Sequence, residues 1–219
     1  ALSNASPKAA MMTISLSEAG KRFNRDWIYR HFTYQFTSGN AYAITGPNGS
    51  GKSTLLQALS GSMLINEGSI DWHLDGKKLD PEMIYSHVSI CAPYLELIEE
   101  MTLQEFLAFH QGFKPFLPGL SANDIIARIG LEKAIHKQIR NYSSGMKQRV
   151  KLAQCILSDT SIVLLDEPCT NLDAAGISLY LSLISDYGKD RLIVVSSNDE
   201  TEYSFCGELV NISDYKLTK

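Results

Sequence analysis

The segment GPNGSGKST at residues 46–54 constrains the fold of this chain more than any other, because it stands between a strand-like run and a helical one. The apolar run AYAIT, 41–45, suits a buried strand, and the residues from Ser53 onward have the apolar spacing of a helix. Three glycines between them permit unusual backbone angles and close approach to a ligand, both of which a Cβ would obstruct. The segment therefore predicts a strand, a phosphate-binding loop and a helix, in that order.

The chemistry of this loop follows from its residue types. Gly46, Gly49 and Gly51 leave backbone N–H groups free to face an anion at a helix N-terminus. Lys52 supplies a positive charge for the β- and γ-phosphates, and the Ser53 hydroxyl suits a magnesium ion that bridges them. The alternative is a glycine-rich surface turn that matches by chance, which the flanking strand and helix disfavour.

Two carboxylates follow a second apolar strand, SIVLLDEP at residues 161–168. Ligands of open α/β sheets bind where such strands end. Asp166 is predicted to bind the magnesium ion, directly or through water, and Glu167 to orient the water that attacks the γ-phosphate. A solvated carboxylate pair is the alternative, and the phosphate loop upstream favours catalysis.

A second anion site is predicted at YSSGMKQR, residues 142–149. Ser143, Ser144 and Gly145 leave backbone N–H groups free at the start of a helix. On its own this segment indicates an ordinary capped helix. If this helix start and the phosphate loop belonged to one pocket, one of the two phosphate-binding sites would be redundant. A nucleotide site shared between two chains is therefore the simpler hypothesis.

The pattern along the chain predicts an α/β fold. Alternating residues over 12–92 indicate strands, one of which carries Ile28, Phe32, Tyr34 and Phe36 on one face. Thr102 with Glu105 and Ser121 with Asp124 have the spacing of capping boxes, which together with apolar helical spacing indicates helices over 101–160. Buried strands alternate with a helix after that. We interpret residues 1–10 as a leader or a loose terminus and 11–219 as one domain, with a helical subdomain at about 95–160.

Composition excludes some classes of protein. No apolar run approaches the roughly 20 residues of a membrane-spanning helix. The net charge of −4 argues against a broad nucleic-acid footprint, so we expect no nucleic-acid partner. The four cysteines have no CxxC spacing, which indicates reduced thiols and a cytoplasmic location.

In order, GPNGSGKST, YSSGMKQR, IVLLDEP and TNLD at 170–173 resemble the Walker A, signature, Walker B and D-loop motifs of ATP-binding cassette (ABC) transporters. The resemblance covers about residues 12–215 and implies a P-loop NTPase core of mostly parallel strands, with an N-terminal antiparallel β subdomain and a helical insert. It also implies ATP and Mg²⁺ as ligands. In this family two nucleotide-binding domains associate head to tail, so a homodimer is expected.

The resemblance also implies roles for individual residues. Ser143 and Gly145 would contact the γ-phosphate across the dimer, and Asp173 would organise the opposite site. Phe23 matches the aromatic residue that stacks on adenine, with Trp27 as another candidate, although core packing of Phe23 is about as frequent an outcome. Nucleotide contacts along the loop would come from Gly46, Asn48, Gly49, Ser50, Gly51, Lys52, Ser53 and Thr54.

Two departures from the family bear on catalysis. The Q-loop glutamine aligns with Pro93, which offers no side-chain ligand. The switch histidine is replaced by Asn198, whose amide can donate a hydrogen bond to the γ-phosphate but cannot carry charge or a proton. We therefore expect Lys52, Glu167 and Asn198 to support slow hydrolysis.

The function implied by the resemblance is that of an ATP-hydrolysing subunit of a multi-chain ABC transporter. It would lie at the inner face of the cell membrane and contact a membrane subunit through the apolar patch of Tyr94, Leu95, Leu97 and Ile98. Simple packing of the helical insert is the alternative for that patch. A soluble ABC-type ATPase and a weakly hydrolysing regulatory module are the other functional hypotheses.

Overall fold

The computed structural model describes residues 10–216, so the predicted leader lies almost wholly outside the described residues. In chain order the strands are β1 (Met12–Phe23), β2 (Asp26–Thr37), β3 (Ala41–Thr45), β4 (Glu67–Leu74), β5 (Lys77–Lys78), β6 (Val88–Cys91), β7 (Ile162–Asp166), β8 (Leu192–Ser196) and β9 (Glu208–Asn211). The helices are α1 (Lys52–Leu59), α2 (Leu103–Phe113), α3 (Ala122–Arg128), α4 (Ser144–Ile156), α5 (Ala174–Tyr187) and α6 (Glu200–Tyr203).

The strands form two sheets. The first is antiparallel, with the order β2-β1-β4-β5, and the second is parallel, with the order β6-β7-β8-β3-β9. The strands β7 and β8 are fully buried, which explains why they are continuous apolar runs in the sequence. The predicted fold class, a parallel α/β core with an N-terminal antiparallel sheet, is confirmed.

The chain between β6 and β7 holds α2, α3 and α4, as the helical pattern predicts. Thr102 with Glu105 and Ser121 with Asp124 each form a capping box, in which the side chain and backbone of both residues exchange hydrogen bonds. Both helix starts are therefore confirmed. The division into one domain with a helical subdomain at about 95–160 stays a prediction.

The sequence predicts that Ile28, Phe32, Tyr34 and Phe36 of β2 share one face, and all four contact the core that contains α1, but Tyr29 joins them there. His31 has a φ of 55°, and the register of β1 with β2 shifts along this stretch. Such an irregularity inserts an extra residue, so that the side chains before and after it no longer alternate in phase. Tyr29 is therefore fully buried beside Phe32 and Phe36, while Ile28 and Tyr34 are only partly buried.

The parallel sheet separates two hydrophobic cores. On one face, Val163 and Leu165 of β7 belong to the core that contains α4 and α5 residues. On the other face, Leu164 of β7 belongs to the core that contains the buried leucines of α1 and the antiparallel sheet. Side chains at alternate positions of a strand point to opposite faces, so Asp166 lies on the α1 side of the sheet. This places it on the side where the predicted phosphate loop begins its helix.

Candidate functional site

The loop between β3 and α1 has the backbone that the glycine pattern predicts. Gly46, Gly49 and Gly51 have φ values of 143°, 75° and 106°. A Cβ on Gly51 would stand 2.1 Å from Cγ2 of Ile28, so both the angle and the space exclude a larger residue. Ile28 therefore packs directly against the backbone at the point where the loop ends and α1 begins.

Lys52 is directed into the loop. Its side chain is buried, and its Nζ donates to the carbonyl oxygen of Gly46 at 2.6 Å. Ser50 Oγ is also buried and has no hydrogen-bond partner among the described residues. Ser53 and Thr54 are partly buried on the first turn of α1. The loop thus gathers a cation and several unshared hydroxyl groups at a helix N-terminus, which suits a phosphate group.

The structure brings the two predicted carboxylates to this loop. Glu167 lines a cavity of about 210 Å³ together with Asn48, Gly49, Gly51, Lys52, Ser53 and Thr54. Its φ is 44°, and its N–H donates to the carbonyl of Ser196 at 2.9 Å, which turns the chain sharply after β7. Asp166 is 3 % exposed and pairs in register with Ser196. The residues predicted to bind phosphate and to orient water therefore share one cavity.

The oxygen atoms at this edge fit a magnesium ion. Asp166 and Ser53 offer a carboxylate and a hydroxyl, and the buried Ser196 Oγ has no hydrogen-bond partner within residues 10–216. Within the same residues, no group of three or more histidine, cysteine or acidic side chains could hold a metal on its own. Mg²⁺ is commonly held by one or two protein ligands with water and substrate phosphates, so the set present is sufficient.

The signature segment lines a separate and larger cavity, of about 570 Å³. Ser143 caps α4, since its Oγ accepts from the N–H of Met146 at 3.3 Å. Gly145 lies close to the D-loop segment, since a Cβ there would stand 3.0 Å from the carbonyl oxygen of Asn171, a tight contact that favours glycine. The lining also includes Lys133 and Lys137, which lie outside the motif, and Arg149, to which the motif assigned no role. This cavity shares no lining residue with the loop cavity in the described part of the chain.

Asp173 of the D-loop segment already has local partners. Its Oδ1 accepts from the N–H of Gly176 at 2.8 Å and so caps α5, and Arg149 lies 3.4 Å from the same oxygen. Because Asp173 is exposed, water screens this ion pair and limits its contribution. Its role toward an opposite site stays a prediction.

The Q-loop segment offers a side chain that the sequence analysis did not assign. Pro93 contributes its carbonyl oxygen, which accepts from Lys151 Nζ at 3.4 Å. The next residue, Tyr94, is 46 % exposed. Burial raises the pKa of its phenol, a hydrogen bond with Gln57 lowers it, and the charge of Asp166 raises it again. Tyr94, and not the proline, is therefore the side chain of this segment on which the charge of Asp166 acts.

Asn198 lies on the phosphate loop. Its Oδ1 accepts from the N–H of Gly46 at 3.2 Å, and its Nδ2 donates to Oδ1 of Asn48 at 3.2 Å. The two ends of the amide are thus both engaged by the loop. Its predicted contact with a γ-phosphate stays a prediction.

Of the two adenine-stacking candidates, Phe23 is the more accessible. It is 47 % exposed at the end of β1, with Lys21 Nζ 5.0 Å from the ring centroid. Trp27 is partly buried and lies against the guanidinium groups of Arg30, at 4.5 Å, and Arg22, at 5.4 Å. The exposed ring of Phe23 is therefore free to stack, although the stacking itself stays a prediction.

The predicted apolar docking patch is smaller than the sequence suggests. Tyr94 and Leu95 are 46 % and 37 % exposed, but Leu97 is 8 % exposed and belongs to the core that contains α4. Leu97 is therefore a packing residue, and its place in the patch was wrong. In the described part of the chain, no helix has the length and apolarity to cross a membrane.

Comparisons with known proteins agree on one family. The family model for ABC transporters matches residues 29–170. The uncharacterized ABC transporter ATP-binding protein YybJ of Bacillus subtilis (strain 168) is 30 % identical over 90 % of this chain and 91 % of its own length. The cytochrome c biogenesis ATP-binding export protein CcmA of Aliivibrio fischeri (strain ATCC 700601 / ES114) is 29 % identical over 84 % of this chain and 91 % of its own length. A solved ATP-binding subunit of an ABC transporter superposes with a TM-score of 0.77 at 23 % identity, covering 91 % of this chain and 85 % of that one.

Proposed function

This chain belongs to the ABC transporter family, and on that premise we propose that it is an ATPase subunit that works as a dimer on a separate membrane subunit. The observation that carries the proposal is the cavity of about 210 Å³ in which the phosphate loop and Glu167 meet. A phosphate-binding loop facing a carboxylate at the end of a neighbouring strand is the arrangement that phosphoryl transfer to water requires.

The loop binds and orients the triphosphate. The N–H groups at the start of α1 and the Lys52 ammonium neutralise phosphate charge, and Lys52 exchanges its contact with the Gly46 carbonyl for the phosphate oxygens. Ser53 and Asp166 would hold a magnesium ion, which supplies charge neutralisation between the phosphates when bound. Phe23 stacks on the adenine ring.

Glu167 acts on the attacking water. It is exposed to the cavity at the mouth of the loop, so its carboxylate can accept a hydrogen bond from a water in line with the γ-phosphate. The sharp turn at its φ of 44° directs the side chain away from β7 and toward that position. Asp166, buried one residue earlier, is left to hold the metal.

The second cavity supports a dimer. Ser143, Gly145 and the start of α4 form an anion site that carries Lys133, Lys137 and Arg149, yet the loop cavity of the same chain does not include it. A nucleotide bound to the loop of one chain would complete its contacts at the signature cavity of a second copy. In the head-to-tail homodimer, the phosphate loop and the signature cavity would therefore both contact nucleotide.

The dimer needs a membrane partner to carry out transport. Tyr94 and Leu95 are large, exposed side chains directly after the Q-loop proline, and the charge of Asp166 acts on Tyr94, so a protein bound here would be coupled to the nucleotide site. The docking surface would face the inner side of the membrane. Leu95→Asp should reduce cosedimentation with membrane vesicles that carry the partner, because it buries an unpaired charge. Leu64→Asp, at a residue 85 % exposed on another loop, is the matched control.

The central test is Glu167→Gln in the full chain with ATP and Mg²⁺. Loss of the carboxylate should suppress hydrolysis by about 100-fold or more while ATP still binds, so a dimer should accumulate on a sizing column. Glu82→Gln, an exposed carboxylate in the short 3-10 helix Pro81–Ser86, should behave as the parent. A monomeric Glu167→Gln variant that hydrolyses ATP like the parent would refute the assignment.

A further inference from the structure

The segment after β8 lies against the loop after β3. The N–H of Ser197 donates to the carbonyl of Ile44 at 3.2 Å, which continues the β3–β8 pairing by one step. Asn198 follows at the point where the phosphate loop leaves β3. Its side chain therefore meets the loop because of sheet register, although the two segments are far apart in sequence.

The carboxamide of Asn198 spans two positions of the loop. Its oxygen accepts from the N–H of Gly46, and its nitrogen donates to Oδ1 of Asn48, each at 3.2 Å. A neutral amide offers an acceptor and a donor on one carbon, so a single side chain can satisfy both groups. A protonated imidazole could not accept from the Gly46 N–H.

Both backbone polar groups of Gly46 have side-chain partners. Asn198 binds its N–H, and Lys52 Nζ binds its carbonyl at 2.6 Å. When Lys52 turns to the phosphates, the carbonyl contact is lost and the Asn198 contact remains. Gly46 has a φ of 143°, a conformation that costs a flexible glycine entropy to maintain.

We propose that Asn198 is a positioning residue that keeps the phosphate loop formed before and during nucleotide binding, acting through Gly46 and Asn48. This inference rests on the proposed ATPase function and assigns Asn198 a role in binding. A loop that is already formed binds phosphate without the cost of ordering, so Asn198 raises the affinity for any nucleotide that carries α- and β-phosphates.

ATP and ADP distinguish this role from a γ-phosphate contact. Calorimetric titration of Asn198→Ala with each nucleotide should show both affinities weakened by the same factor, about fivefold. In steady-state hydrolysis KM should rise by about the same factor while kcat stays within about twofold. A loss confined to ATP would overturn the proposal, because ADP has no γ-phosphate.

Asn48 supplies the partner for a double-mutant cycle. Asn48→Ala should weaken the binding of ATP and of ADP by the same factor. The double variant should bind only slightly more weakly than Asn198→Ala, because both changes break the same hydrogen bond. Asn40→Ala, at an exposed position before β3, is the matched control and should bind as the parent does. Multiplicative losses in the double variant would show that Asn198 does not act through Asn48.

Amide hydrogen exchange tests the same contact in the free protein. The Gly46 N–H should exchange several-fold faster in Asn198→Ala than in the parent, while the amides of β7 keep their rates. Unchanged exchange at Gly46 would overturn the proposal even if nucleotide affinity changed. Absence of ATP and ADP binding by the parent chain would instead overturn the ATPase function itself, and this inference with it.

Discussion

Arg191 is a buried, charged residue that hydrogen-bonds to the C-terminal end of α4, the helix that begins in the signature segment. Its guanidinium is only 8 % exposed and donates to the carbonyls of Ile156 at 2.5 Å, Ser158 at 3.0 Å and Thr160 at 2.7 Å. No carboxylate of the described residues forms an ion pair with it. Burial lowers its pKa to about 10, so the guanidinium stays charged at neutral pH. Its charge is therefore balanced by carbonyl dipoles at the C-terminus of α4.

Arg191→Met replaces this group with an unbranched apolar side chain that occupies the place of the arginine stem and donates no hydrogen bond. Each hydrogen bond from a charged group contributes about 1.5–3 kcal/mol, and each buried carbonyl left unpaired costs about 1–3 kcal/mol. The desolvation of the guanidinium offsets part of this sum, since that cost disappears with the charge. We expect a net decrease of about 3 kcal/mol in the free energy of unfolding, which lowers Tm by about 6–12 °C in a chain of this size.

Equilibrium urea unfolding, monitored by circular dichroism, measures this change. Arg140→Met is the matched control, because Arg140 is exposed in the short 3-10 helix Ile139–Asn141, and it should change the free energy of unfolding by less than about 0.5 kcal/mol. Arg191→Lys should recover only part of the loss, since one ammonium cannot reach three carbonyls in the fork geometry. A loss below about 1 kcal/mol for Arg191→Met, with an unchanged m value, would refute the reasoning.

Three further predictions concern the nucleotide site and its neighbours. Lys52→Ala should weaken ATP binding by about 30-fold or more, as measured by calorimetry, because it removes the one cationic side chain that lines the loop cavity in the described residues; unchanged affinity in a folded variant would exclude this loop as the phosphate site. Asn198→His should raise kcat about tenfold and introduce an inflection near pH 6–7 in the rate profile, while also raising KM, and a flat profile would exclude a catalytic role for this position. Burial raises the pKa of Glu202, whose carboxylate accepts from the N–H of Cys169 at 2.7 Å, so the protonated form is favoured in the folded state. The free energy of unfolding of the parent should therefore fall relative to Glu202→Gln as pH rises from about 4.5 through the raised pKa, and a pH-independent difference in urea unfolding would contradict this.

Local patterns predicted the parts of the fold that depend on near neighbours in sequence. The loop at residues 46–54 and the capping boxes at Thr102 and Ser121 form as predicted, because their backbone angles and hydrogen bonds are set within a few residues. The parallel strands β7 and β8 were predictable for a related reason. Burial on both faces leaves a continuous apolar run.

The sequence did not predict features that depend on distant segments. The irregularity at His31 places Tyr29 in the core, and period-two alternation alone could not locate it. Leu97 was assigned to a surface patch, but α4 and its neighbours cover it. In both cases the burial of the side chain depends on contacts with another element, which the local sequence pattern does not indicate.

The same distinction explains which site residues were found. Motif residues such as Lys52 and Glu167 are recognisable because their chemistry requires fixed neighbours. Lys133 and Lys137 lie outside every motif and reach the signature cavity only through the packing of the helical segment.

This packing also gives the two cavities different charge. The loop cavity pairs one lysine with Glu167 and lies beside Asp166, while the signature cavity carries Lys133, Lys137 and Arg149 against Asp173. Lys52 is the one cationic side chain that lines the loop cavity in the described residues, so a triphosphate bound there would still attract further cations. In the proposed dimer the signature cavity of a second copy would supply them, and the charge of the nucleotide would favour head-to-tail association.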